Sequence, residues 1–224
     1  LYTFFTTVLN PGDEVIIPTP CWVSYVDQVK MVDGVPVTVA TTEANDFKAT
    51  VEQLEAARTD KTKVLLLNSP SNPTGMIYSR DELEAIGNWA VEHNILILAD
   101  DIYGRLVYNG NEFTPISTIS EVIRNQTVVV NGTSKTYAMT GWRVGFAVGN
   151  ADIIEGINLI QDHLFVSIFP AMQDAAVEAL SNTTARQKAV TSLQETYESR
   201  RNAFIAAVRK FNWEPYVPKG AFYI

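Results

Sequence analysis

The sequence is poor in cysteine and histidine, and it concentrates charge of neither sign. One cysteine, Cys21, excludes an internal disulfide and suits a reducing cytoplasm, the expected location. The only two histidines, His93 and His163, stand in no Cys/His cluster of ligand spacing, so no zinc site is expected. His93 reads as a solvated helix end and His163 as a core or interface residue of an apolar helix. No Gly-x-Ser-x-Gly elbow is present, which removes the usual hydrolase signature. No stretch approaches the ~20 apolar residues that span a bilayer. Leu1–Leu9 is apolar but lacks the basic start and small-residue cleavage site of a signal peptide. The 17 basic and 25 acidic residues give a net charge of −8 with no basic run. Nucleic acid and anionic membrane are therefore poor partners.

What is present is an ordinary globular composition, 46% hydrophobic and 19% charged over 224 residues. It excludes disorder, collagen and coiled coil, and it can bury a core without disulfide or metal. Short apolar runs at Glu14–Ile17, Val35–Val39, Lys63–Asn68, Ile95–Ala99, Thr127–Val130 and Val144–Val148 alternate with helical patterns. Lys63–Asn68 and Ile95–Ala99 are almost continuously apolar, as in strands buried on both faces of a parallel sheet. The helical patterns are Ser24–Met31, Thr50–Arg58, Ser79–Glu92 and Ala151–Leu164, and Ser79-Arg80-Asp81-Glu82 supplies an N-cap and an acidic first turn. This alternation predicts βαβ units and a layered α/β fold. After about residue 168 the strand signal stops. Helices are predicted over Ala171–Leu180 and Ala185–Phe211, the second long enough to connect to another domain. Gly220–Ile224 reads as a strand. The chain starts without Met inside an apolar run and stops inside that predicted strand, which reads as a fragment of a longer protein.

Four clusters of unusual polar or aromatic residues follow predicted strands, where parallel α/β sheets form their ligand crevice. Pro18-Thr19-Pro20-Cys21-Trp22 follows the first, and its indole offers a flat face to a ring. Asn68-Ser69-Pro70-Ser71-Asn72-Pro73-Thr74-Gly75 follows the third, its prolines and glycine stiffening the loop around Asn72. Asp100-Asp101-Ile102-Tyr103 follows the fourth. A carboxylate there is costly unless paired, and a cationic ring nitrogen is one such partner. Neighbouring side chains at a strand end point oppositely, so one aspartate faces the crevice, and the spacing to Tyr103 selects Asp100. After the fifth strand, Ser134 and Lys135 precede Arg143 by nine and eight positions. Burial would make Lys135 nucleophilic, and hydroxyls, glycines and an arginine suit a phosphate. Each cluster alone also has a structural reading: a core tryptophan, a turn, a helix cap, a solvated lysine.

Together, Asn-Pro-Thr-Gly at 72–75, Asp-x-x-Tyr at 100–103, and Ser134-Lys135 with Arg143 resemble the class I aminotransferases. These are pyridoxal 5'-phosphate (PLP) enzymes of fold type I, and the likeness is to the bacterial aspartate/aromatic branch. It runs from Asn10-Pro11-Gly12-Asp13-Glu14-Val15 to Gly220-Ala221-Phe222-Tyr223. The resemblance implies a three-layer α/β/α large domain with a mostly parallel sheet over residues 1–185. Residues 186–224 would be the connector helix and the start of a small domain. It implies Lys135 as the Schiff-base lysine and proton shuttle, Asp100 as partner of the ring nitrogen, and Tyr103 with Asn72 on the ring oxygen. Trp22 would stack on the ring, and Ser134 and Arg143 would bind the phosphate. Amino acids and 2-oxo acids would be the small-molecule partners, aspartate or an aromatic amino acid the donor, and a homodimer the assembly. A PLP-dependent β-lyase, and a sensor domain of a GntR-type regulator, are the rival readings. The sequence departs from the pattern at Asp101, where glutamate is common, Ala99 (serine), Cys21 (tyrosine) and Thr133 (phenylalanine). Further phosphate contacts, a tyrosine reaching across the dimer and the arginine for the substrate carboxylate are expected outside this chain. The 224 residues alone are therefore not expected to transaminate.

Overall fold

Alternate residues of the two most apolar runs face opposite sides and find a complete core on each. This is seen in a computed structural model that describes residues 1–224. The elements in chain order are α1 (Tyr2–Val8), β1 (Glu14–Thr19), α2 (Ser24–Lys30), β2 (Val35–Ala40), α3 (Val51–Ala57), β3 (Thr62–Asn68), α4 (Arg80–Glu92) and β4 (Leu96–Asp100). There follow α5 (Glu121–Asn125), β5 (Thr127–Gly132), α6 (Thr133–Thr136), β6 (Gly145–Val148), α7 (Ala151–Leu164), α8 (Pro170–Ser181) and α9 (Thr183–Arg209). Val64, Leu66 and Leu98 pack with Phe4, Phe5, Tyr25 and Val29 on one face. Leu65, Leu67, Ile97 and Ala99 pack with Leu54, Leu83, Ile86 and Trp89 on the other. Burial on both faces accounts for the continuous apolar character of β3 and β4.

The sheet order is β2-β1-β3-β4-β5-β6. All pairs are parallel except β5–β6, which is antiparallel. The order reverses direction between β1 and β3, and the carboxyl ends beside that switch point are where a ligand crevice opens. The β5–β6 pair is close: a Cβ on Gly132 would stand 2.8 Å from the carbonyl oxygen of Val144. The capping signals act as read. Ser79 Oγ accepts from the Glu82 N–H while the Glu82 carboxylate accepts from the Ser79 N–H, satisfying two otherwise orphaned donors. No helix is long and apolar enough to cross a membrane.

Helix α9 has 27 residues and packs beside the loop beyond β4, where Gln194 Nε2 donates to the Arg105 carbonyl at 2.8 Å. The segment after it returns to the loop beyond β4, but not as the strand predicted over Gly220–Ile224. A single antiparallel bridge, Val107 to Gly220, forms. The segment is held point by point instead. The Gly220 N–H donates to the Gly75 carbonyl at 2.8 Å, and the Ala221 N–H to the Leu106 carbonyl at 2.9 Å. Gly75 has φ +64°, and a Cβ there would lie 2.4 Å from Pro218 Cβ, so that position requires glycine. The alternating Ala-Phe-Tyr pattern imitates a strand, but no ladder of backbone partners is available. His163 is exposed on α7, which removes the core half of its expected reading and leaves the interface half.

Candidate active site

A cavity of about 780 Å³ opens at the carboxyl ends of β1, β3, β4 and β5, within the range of small-molecule and cofactor sites. Trp22, Asn72, Asp100, Tyr103, Ser134, Lys135 and Arg143 all line it. They arrive from four connections, those after β1, β3, β4 and β5, and the sheet converts their scattered positions into one wall. Asn68, the last residue of β3, helps to build that wall. Its Nδ2 donates to the Asp100 carbonyl and its Oδ1 accepts from the Asn72 N–H, both at 2.8 Å.

Asp100 ends β4 with 7% of its surface exposed. Its Oδ2 accepts from the Tyr25 hydroxyl at 2.8 Å and its Oδ1 from the Ile102 N–H at 3.2 Å. Burial raises its carboxyl above the usual range, against the lowering effects of the Tyr25 and Ile102 bonds. None of the chain's side-chain ion pairs includes it. Asp101 is as deeply buried but does not line the cavity. Burial first, then the neighbouring Asp100 charge, pushes Asp101 up to about 7.

The Tyr103 hydroxyl lies 2.8 Å from that of Tyr223. Burial first, then the bond to Tyr223, holds the Tyr103 phenol well above its ordinary value, and a bond from Asn72 opposes this. Lys135 lies in α6, a four-residue turn of helix directly after β5, rather than in the strand itself. Its Nζ stands 5.5 Å from the centre of the Phe222 ring, favourable contact for an ammonium. Arg143 has left-handed backbone, φ 56°, and its Nη1 donates to the Thr140 carbonyl at 2.9 Å. Its remaining donors enter no ion pair. Trp22 meets Tyr25 edge to face at 5.3 Å and keeps 37% of its surface exposed.

Two wall residues escape a reading of the sequence. Tyr25 reaches Asp100 across 75 positions and Tyr223 reaches Tyr103 across 120. For Tyr25 the available signal is its three-residue spacing from Trp22 at the start of α2; for Tyr223 it is only the aromatic pair after Gly220.

The family model for aminotransferase class I and II matches residues 1–224. The chain belongs to this family. It is 60% identical over its whole length to the asparagine–oxo-acid transaminase of Streptococcus mutans and 48% identical to the aspartate aminotransferase of Bacillus sp. strain YM-2, covering 56% and 57% of them. The crystal structure of the aspartate aminotransferase of Rhizobium meliloti superposes with a TM-score of 0.93 at 36% identity, over 98% of this chain and 55% of that one. The chain thus spans little more than half the length of these aminotransferases. The fold is theirs, a mostly parallel α/β sheet.

Proposed function

We propose that the protein containing this chain is a PLP-dependent aminotransferase, moving an amino group from an amino acid to a 2-oxo acid. The observation that carries the reading is a buried carboxylate without a side-chain cation, Asp100, on the same cavity wall as an amine free of ion pairs, Lys135. The donor set fits the cofactor: an anion for a protonated ring nitrogen, a primary amine for an aldehyde, and an arginine with donors to spare for a phosphate. When bound, PLP supplies an electron sink for the bonds at the substrate's α-carbon.

The chain's own groups divide the remaining work. Asp100 would hold the proton on the ring nitrogen, and Tyr25 favours the ionised form of Asp100 by donating to Oδ2. Lys135 Nζ takes and returns a proton at the substrate carbon, a general acid–base role. Tyr103 and Asn72 bind the ring oxygen, Ser134 and Arg143 the phosphate, and Trp22 covers the ring and excludes water. Residues 1–185 would serve as the cofactor domain and 186–224 as the connector to a second one. A homodimer fits the exposed Leu159, Leu164, Phe165, Val166 and Phe169 of α7 and the loop after it. The names of the relatives favour transamination over the β-lyase and regulator readings and make aspartate and asparagine the first donors to test. The full-length protein with PLP, either donor and 2-oxoglutarate should give glutamate and the donor's 2-oxo acid. Failure to form glutamate from these or an aromatic donor would overturn the proposal.

A further inference from the structure

The loop-like segment Gly220–Tyr223 touches two of the groups to which the proposed function gives roles, Lys135 and Tyr103. Phe222 lies against Lys135 Nζ, and it packs edge to face on Tyr103 at 5.3 Å between ring centres. Beyond it, Tyr223 brings its hydroxyl to 2.8 Å from the Tyr103 hydroxyl and itself lines the cavity. We propose that Tyr223 is a positioning residue for Tyr103: its hydroxyl donates to the Tyr103 oxygen while Tyr103 donates to the ring oxygen of the bound cofactor. This rests on the aminotransferase reading and deepens it.

The argument is one of proton count. A phenol has one proton to donate and lone pairs to accept. Burial and the Tyr223 contact both favour the protonated Tyr103 phenol. Once that proton points at an anionic ring oxygen, the short contact between the two tyrosines survives only if Tyr223 turns its own proton toward Tyr103. A hydroxyl rotates without moving a heavy atom, so the same 2.8 Å distance serves both directions. The resulting chain, Tyr223 to Tyr103 to ring oxygen, is cooperative, each bond polarising the next.

Docking the segment does not need this hydroxyl. Backbone bonds from Gly220 and Ala221 to Gly75 and Leu106, and the Tyr108 hydroxyl bonded to the Ala221 carbonyl, already hold it. The Tyr223 ring also packs on Phe222 at 4.8 Å without using its oxygen. Tyr223→Phe should therefore keep the packing and remove only the proton donor.

The test uses the full-length protein loaded with PLP and follows the cofactor's visible absorbance against pH. A weaker donor at the ring oxygen leaves that oxygen more basic, so the proton beside it is held to higher pH. Tyr223→Phe should raise the absorbance midpoint by about 0.4–1 pH unit, the worth of one net hydrogen bond. In a Tyr103→Phe background the same substitution should add no shift, because the relay is already cut. A wild-type midpoint in Tyr223→Phe, with Tyr103→Phe shifted, would reduce Tyr223 to a docking residue and overturn the proposal. An undiminished shift in the Tyr103→Phe background would overturn it as well. A wild-type protein that takes up no PLP on Lys135 would sink the aminotransferase reading and this inference with it, a result distinct from the other two.

Discussion

Asp100 and Asp101 sit at the same strand end on opposite faces of the sheet. They carry the same formal charge and are 7% and 6% exposed, yet their surroundings differ. The crevice face gives Asp100 the Tyr25 hydroxyl and the Ile102 N–H, two donors that favour an anion. On the far face, Asp101 has its N–H and carbonyl engaged by Val130 and Gly104, but its carboxyl is dominated by burial and by its neighbour's charge. Burial alone disfavours ionisation of a carboxylate; donors aimed at it oppose that effect. One face of β4 thus aims two donors at a carboxylate that lines a cavity, and the other carries a carboxyl pushed up to about 7.

The largest effect should come from removing the carboxylate that lines the cavity. Asp100→Ala in the full-length protein should lower kcat/KM by on the order of 10³-fold, the scale on which truncating one partner of a buried charge pair is felt. Tyr25→Phe removes one hydrogen bond to a charged group and should lower kcat by roughly ten- to a hundredfold, with less change in KM. A loss as large as that of Asp100→Ala would mean that Tyr25 does more than hold the carboxylate.

Asp101→Asn should leave kcat within about threefold of wild type, below ~1 kcal/mol in barrier. Equal losses for Asp100→Ala and Asp101→Asn would erase the distinction between the two faces. The Asp101 carboxyl rises to about 7 on folding, from about 3.9 in an unfolded chain. Between those values the folded state binds more protons than the unfolded one. Stability therefore falls as pH rises through that window. Asp101→Asn removes this loss. Its melting temperature should exceed that of wild type by several degrees at pH 8, roughly 2–4 °C per kcal/mol, and match wild type near pH 4. A stability gain independent of pH would contradict a titrating Asp101.

The contrast between the faces also marks what the sequence discloses. Asp100 is legible because an apolar run ends in a charge, and alternation along a strand selects one aspartate of two. Asn72, Ser134, Lys135 and Arg143 are legible because strand-end loops of parallel sheets converge. The groups that finish the site are not: Tyr25 and Tyr223 act through contacts 75 and 120 positions away, and no local period encodes such a pairing. Gly220–Ile224 shows the opposite failure. Its pattern is that of a strand, but strand formation also needs a free neighbouring edge, and the loop beyond β4 offers only the bridge at Val107.

The central claim is that Lys135 is the amine that carries the cofactor, in the cavity that the Asp100 carboxylate also lines. Borohydride reduction of the full-length protein loaded with PLP, followed by peptide mapping, tests it most directly. The account predicts one stably reduced adduct on Lys135, and loss of both that adduct and the visible absorbance in Lys135→Ala. An adduct on another lysine in the wild-type protein, with Lys135 unmodified, would contradict it.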